Sequence, residues 1–231
     1  ATQAEIAAVV KTAMDAHAVA IDKIADYAET GATAPTDADY TAAGVTGVNA
    51  NNVAAINSAI NAQAGADGFV GNQDDRGAAD TTPEVQAIVN GVNDAFLKIE
   101  AYNNGNGTLP AALTQQDYEN AAITGVSADN LAAVNAQVLK QATGGADTQA
   151  EVQALVTAAN AAIAKVEAYN NGNGTTPPAL TVQDYANAGI TGVTADNLAA
   201  VNAKTLAAAT GGADTAPEVQ ALVTAANAAL A

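Results

Sequence analysis

The sequence predicts an all-α protein built of tandem three-helix repeats that form an elongated helical array, with long helices shared between units. Three observations predict it. The phrase DYENAAITGVSADNLAAVN at 117–135 returns as DYANAGITGVTADNLAAVN at 184–202 and, more loosely, as DYTAAGVTGVNANNVAAIN at 39–57. The motif Glu-Val-Gln-Ala-(Ile/Leu)-Val starts at Glu84, Glu151 and Glu218, two steps of 67 residues, with a fainter EIAAVV at Glu5, one step of 79 upstream. Internal periods of this size belong to stacked helical units. Hydrophobic residues make up 49% of the chain but aromatics only 3%, and alanine supplies most of the apolar count. Alanine is the best helix former and buries little surface, so strong helices around a thin core are expected.

The long helix is expected over EVQALVTAANAAIAKVEAY, 151–169. Val152, Leu155, Val156, Ala159, Ile163 and Val166 fall on one face at helical spacing, while Glu151, Gln153, Thr157, Asn160 and Glu167 take the other. Asn170, Asn171 and Gly172 are expected to stop it, because Asn and Gly tolerate the left-handed conformation.

A short helix follows in LTVQDYANAGI, with Thr181 as N-cap and Asp184 three residues on as an Asp variant of the capping box. Gly189 ends it and Ile190 folds back onto it. The pattern recurs at Thr36, Asp39, Gly44, Val45 and at Thr114, Asp117, Ile123, where Ala122 replaces the glycine.

The third helix is expected to open at Thr194 (Ser127 and Asn49 in the other copies), with Leu198, Val201 and Leu206 facing inward and Gly211-Gly212 breaking it. Asp214-Thr215 then launches the next long helix, with Pro217 in its first turn.

These signals divide the chain into a divergent first repeat at 1–81, a second at 82–147, a third at 148–214 and a half-repeat at 215–231. The first carries four extra residues before Tyr27 and an insertion spanning 64–80. Atypical end units are usual in repeat arrays. A single 67-residue repeat with few large side chains is marginal alone. No Pro/Gly linker separates the copies, so a stiff rod is expected rather than beads on a string.

Twenty-four acidic against seven basic side chains give a formal charge of −17. That field repels phosphate backbones, so no nucleic acid is expected as a partner. With no cysteine, disulfides, thiol catalysis and cysteine metal sites are excluded. No apolar run approaches the roughly 18–20 residues of a membrane span, so no membrane insertion is expected. A chain opening on Ala1 is expected to be a processed product or a fragment, with any signal peptide already removed.

Repeats reading EVQALV…AAIAKVEAYNNGNGTTPPALTVQDYANAGITGVTADNLAAVNA resemble the tandem helical repeats of very large secreted surface proteins of Gram-negative bacteria, of the biofilm-associated and RTX adhesin kind. The resemblance covers essentially the whole chain and is strongest over 84–231. A fainter likeness joins DNLAAVNAKTLAAATGGADTAPEVQALVTAANAAL to the last two helices of the three-helix albumin-binding module. The resemblance implies a non-catalytic extracellular or cell-surface protein, the spacer or stalk segment of a bacterial adhesin. The absence of cysteine fits such a setting.

Two other readings follow from the residues: a subunit that associates end to end into an extracellular filament or sheath, and a module that binds a cell-surface protein or a glycan. The second would use the insertion at 64–80 or the Tyr-Asn-Asn-Gly-Asn-Gly loops at 102–107 and 169–174, which read more simply as helix stops. Asp67, Asn72, Asp74, Asp75 and Asp80 are weak calcium candidates, because their hard oxygens suit the ion but their spacing misses the EF-hand pattern. Otherwise no cofactor is expected. His17, the lone histidine, has no evident partners and is expected to be structural. Asn57, Asn135 and Asn202 sit mid-helix, where Asn is a poor choice, and are expected to bond across repeats and fix their register. No catalytic constellation is evident, so no enzymatic activity is expected.

Overall fold

The computed structural model describes residues 1–63, 79–105, 111–172 and 178–230. Among these the protein is all-α, without a strand. Its helices are α1 (Gln3–Thr30), α2 (Asp37–Ala42), α3 (Val53–Asn61), α4 (Thr82–Asn104), α5 (Gln115–Asn120), α6 (Leu131–Leu139), α7 (Gln149–Asn171), α8 (Val182–Asn187), α9 (Leu198–Leu206) and α10 (Ala216–Leu230). A long helix, a six-residue helix and a nine-residue helix thus follow one another three times. No described helix is long and apolar enough to cross a membrane.

The chain forms two compact units, one of Ala1–Leu97 with Asn120–Ala122, the other of Lys98–Glu119 with Ile123–Ala231. In the first, α1 buries Ala20, Ile21, Ile24, Ala25 and Ala28 against α2 and α3. Val85, Val89 and Val92 of α4 are buried in turn. In the second, α6 packs on α7, α8 and α10, while α7 also packs on α8 and α9, and α9 packs on α10. Leu155, Ile163 and Val166 join the buried stripe of α7, as the helical spacing requires.

Several boundaries differ from the sequence reading, each for a local reason. Helix α7 starts two residues early, because Thr148 caps it reciprocally with Glu151, and it runs on through Asn170 and Asn171. Only Gly172, at φ 66°, ends it. Asn170 is no helix stop. Its Nδ2 donates to the carbonyls of Thr205 (2.9 Å) and Ala208 (3.1 Å), closing the open C-terminal end of α9. Asn103 does the same for α6 through Val138 and Gln141.

The third helix of each repeat begins later than expected, at Val53, Leu131 and Leu198. The residues before it form a turn in which Asn52, Asn130 and Asn197 accept the amide of Asn49, Ser127 and Thr194. Helix α9 ends at Leu206, ahead of the Gly-Gly pair. Leu206 does not face inward. It is exposed, and Thr205 takes the core position because its hydroxyl meets the buried Tyr185 hydroxyl at 3.1 Å.

Candidate functional site

Three recurring polar devices position the helices. The first is a buried tyrosine–asparagine anchor. The hydroxyls of Tyr40, Tyr118 and Tyr185 donate to Oδ1 of Asn57, Asn135 and Asn202 at 2.7, 2.7 and 2.9 Å. Each asparagine returns its Nδ2 to a carbonyl just before the short helix, at Pro35, Leu113 and Leu180. The expected bond across repeats is therefore corrected: these asparagines bond within their own repeat, tying the third helix to the entry of the second. The geometry explains why Asn is tolerated mid-helix, since both ends of its amide are satisfied in a dry site. Burial raises the phenol pKa of Tyr40 and Tyr118, and that of Tyr185 too, where Thr205 offsets part of the effect.

The second device is the capping aspartate. Asp39, Asp117 and Asp184 accept from the backbone and hydroxyl of Thr36, Thr114 and Thr181. Each also pairs with a lysine from the preceding long helix, Lys23, Lys98 or Lys165, at 2.5, 2.5 and 2.6 Å. Burial alone would raise these carboxyls, but the lysine and the two threonine bonds outweigh it. Asp39 is held down to about 2 against an ordinary 3.8, and Asp117 and Asp184 are lowered for the same reasons.

A carboxyl whose folded pKa is depressed stabilises the fold above its unfolded value, and that contribution disappears as pH falls through the folded one. Asp39 therefore contributes at most roughly 2 kcal/mol at neutral pH. Thermal unfolding followed by circular dichroism should show the melting temperature falling as pH drops from about 4 to 2, the window set by the Asp39 values. An Asp39→Asn/Asp117→Asn/Asp184→Asn chain should start lower and respond less to acid.

The third device is a clasp between each short-helix pair and the next long helix. In the second unit, the Thr124 amide donates to Gln153 Oε1 and Gln153 Nε2 returns a bond to the Thr124 carbonyl, at 3.1 and 2.9 Å. Asn130 Nδ2 reaches Asn160 Oδ1 at 2.7 Å. The same bonds join Thr191 to Gln220 and Asn197 to Asn227, and in the first unit Thr46 to Gln86 and Asn52 to Asn93. The helical spacing places Gln153 and Asn160 on the face opposite the apolar stripe, and it does not show that they clasp a neighbouring turn. Their recurrence at the 67-residue step, as Gln220 and Asn227, was the available signal.

Inside the second unit, the second and third repeats meet at a close joint. Gln137 Nε2 donates to the Asn187 carbonyl at 2.8 Å, and Lys140 Nζ reaches the Ala186 carbonyl and Asn187 Oδ1 at 2.9 and 2.8 Å. The half-repeat adds to the joint, because the amide of Ala216 donates to the carbonyl of Asp129 at 2.9 Å. Gly189, at φ 74°, presses on the α6 backbone so closely that a Cβ there would stand 2.4 Å from the Ala132 carbonyl carbon.

Of the single residues singled out for chemistry, only His17 and Asp80 are described. His17 Nε2 lies 3.0 Å from Thr82 Oγ1, a single side-chain contact between α1 and the start of α4. Among the calcium candidates only Asp80 is described; Asp67, Asn72, Asp74 and Asp75, like most of the 64–80 insertion, lie outside the described residues. Among the described residues no three His, Cys, Asp or Glu side chains are placed to hold a metal. A groove of about 270 Å³ in the second unit is lined by Asp129, Asn130, Asn160, Glu167 and Asp214, a polar wall without a converging set of ligands. Tyr102 and Tyr169 are buried, so neither offers a ring face for a sugar; Asn106, Gly107, Asn173 and Gly174 of those loops lie outside the described residues. Comparison of the chain with family models, curated proteins and solved structures returned no match.

Proposed function

We propose that the protein is a non-catalytic structural repeat protein, an extracellular spacer or stalk segment of a bacterial surface adhesin. The observation that carries the proposal is the joint between the second and third repeats, where the Gly189 backbone lies against Ala132 and three hydrogen bonds link Gln137 and Lys140 to Ala186 and Asn187. A contact this close and this polar admits one register, and a joint of one register carries length without hinging. Each short-helix pair is also clasped by the following long helix, through Thr46–Gln86, Thr124–Gln153 and Thr191–Gln220. Composition is compatible with the reading: a charge of −17 opposes non-specific association, and without cysteine there is no thiol chemistry. The resemblance to adhesin repeats supplies the setting.

Small-angle scattering and calorimetry of the whole chain test it. The expected result is the scattering curve of one stiff, elongated particle and a single cooperative melting transition. A curve demanding freely hinged lobes, or repeats that melt one after another, would overturn the proposal.

A further inference from the structure

The bonds that hold each repeat together use the same residue types in all three copies: the tyrosine–asparagine anchor, the lysine–aspartate pair and the threonine–glutamine clasp. The residues of the joint do not follow this rule. At the places of Gln137 and Lys140 the first repeat has Ala59 and Ala62, and the third has Lys204 and Ala207. At the place of Gly189 the second repeat has Ala122.

That last difference is one methyl group on an unchanged turn. Ala122 has φ 54° and Gly189 φ 74°, and Ile123 and Ile190 each fold back to donate to the tyrosine carbonyl, of Tyr118 or Tyr185, at 2.9 Å. At Gly189 the methyl would fall on the carbonyl of Ala132 and the amide nitrogen of Ala133, helix backbone that cannot turn aside. A short helix that ends as the second repeat's does therefore cannot seat on α6. The polar half of the joint is as particular. Gln137 and Lys140 meet the C-terminal end of α8, where the last carbonyls of a helix lack partners within it. Ala207, at the place of Lys140, has no side-chain donor to give.

We infer that the α6 face of the second repeat is selective for its neighbour. It accepts a short helix ending Asn-Ala-Gly, as at 187–189, and refuses one ending Asn-Ala-Ala, as at 120–122. The inference rests on the reading of this joint as a contact of one register, and adds what sets the order of the repeats. Near-identical units in one chain are prone to pair with the wrong copy while folding. A clash directed at the wrong partner is an effective source of discrimination. Constant residues inside each repeat and varied ones at the joint meet both needs: every unit folds alike, and only one order packs.

The test uses the full chain, calorimetry and circular dichroism. The residues introduced are ones that another repeat carries at the equivalent place. Ala186→Glu/Gly189→Ala, which gives the third repeat the turn of the second, should lower the melting temperature of the third repeat by about 10 °C with native helix content at 25 °C. Ala186→Glu alone keeps the glycine and should shift it by no more than about 2 °C. Gly44→Ala separates turn strain from the joint, because Gly44 has φ 73° but its nearest neighbour to an added Cβ is a Thr82 methyl at 3.7 Å. It should cost the first repeat roughly a third of the Gly189 effect. Gln137→Lys/Lys140→Ala, which gives α6 the residues of α9, should lower the melting temperature by about 5 °C. A Gly44→Ala loss as large as that of Ala186→Glu/Gly189→Ala would show that the turn, not α6, refuses the methyl, and would overturn the inference. So would a large loss from Ala186→Glu alone, or none from Gln137→Lys/Lys140→Ala. These results are differences between variants, whereas the scattering curve and the number of transitions of the native chain test the stalk reading, so either can fail without the other.

Discussion

Gly189→Ala should cost the protein roughly 3 kcal/mol of stability, the sum of a left-handed backbone imposed on alanine and an overpacked contact, less the gain in unfolded-state entropy. Both costs are visible at the residue. Its φ is 74°, and the added methyl would sit 2.4–2.5 Å from the carbonyl carbon and oxygen of Ala132 and the amide nitrogen of Ala133. Backbone atoms in a helix cannot step aside as a flexible side chain would. The loss should therefore appear as separation of the second and third repeats, with a broader melting transition in calorimetry. Gly91→Ala is the control. Gly91 lies in α4 with nothing within 4 Å of an added Cβ, so alanine there should stabilise by about 0.5–1 kcal/mol. Equal effects at the two positions would show that the joint contributes nothing.

Asn135→Leu is expected to cost a similar amount, about 2–4 kcal/mol, by leaving two buried groups unpaired: the Tyr118 hydroxyl and the Leu113 carbonyl. Denaturant unfolding measures it. The partner substitution Tyr118→Phe should cost less, and the double variant should cost less than the sum of the two singles, because they break one shared bond. Asn202→Leu supplies the internal comparison. Tyr185 keeps a second partner, the Thr205 hydroxyl, whereas the second repeat has Val138 at that place. The third-repeat variant should be milder by about 1 kcal/mol. If the two asparagine variants cost the same, the hydroxyl of Thr205 does not share the load.

Much of this architecture was legible without coordinates. The 67-residue step marked which helices are equivalent, and the capping pairs Thr36–Asp39, Thr114–Asp117 and Thr181–Asp184 marked where the short ones start. Local bonds of this kind span three residues, so the sequence states both partners side by side. The roles of the asparagines were not legible in the same way. Asn135 reaches Leu113 and Asn170 reaches Thr205, across 22 and 35 residues. Nothing in the spacing says whether such a bond crosses repeats or stays within one. Leu206 was misplaced for a related reason: hydrophobicity ranks leucine above threonine, but a buried tyrosine hydroxyl makes threonine the better core neighbour.

The sequence by itself determined the helix order, the apolar stripe of each long helix and the short-range caps, because these follow from periodicity and from contacts between near neighbours. Tertiary structure alone decided which polar side chains face inward, how closely Gly189 approaches Ala132, and that the stripe of α1 remains uncovered while its counterpart in α10 is buried. Burial and close approach belong to pairs of segments far apart in the chain. Identical residues, such as the valines at positions 10 and 223, acquire opposite environments according to whether a partner segment arrives.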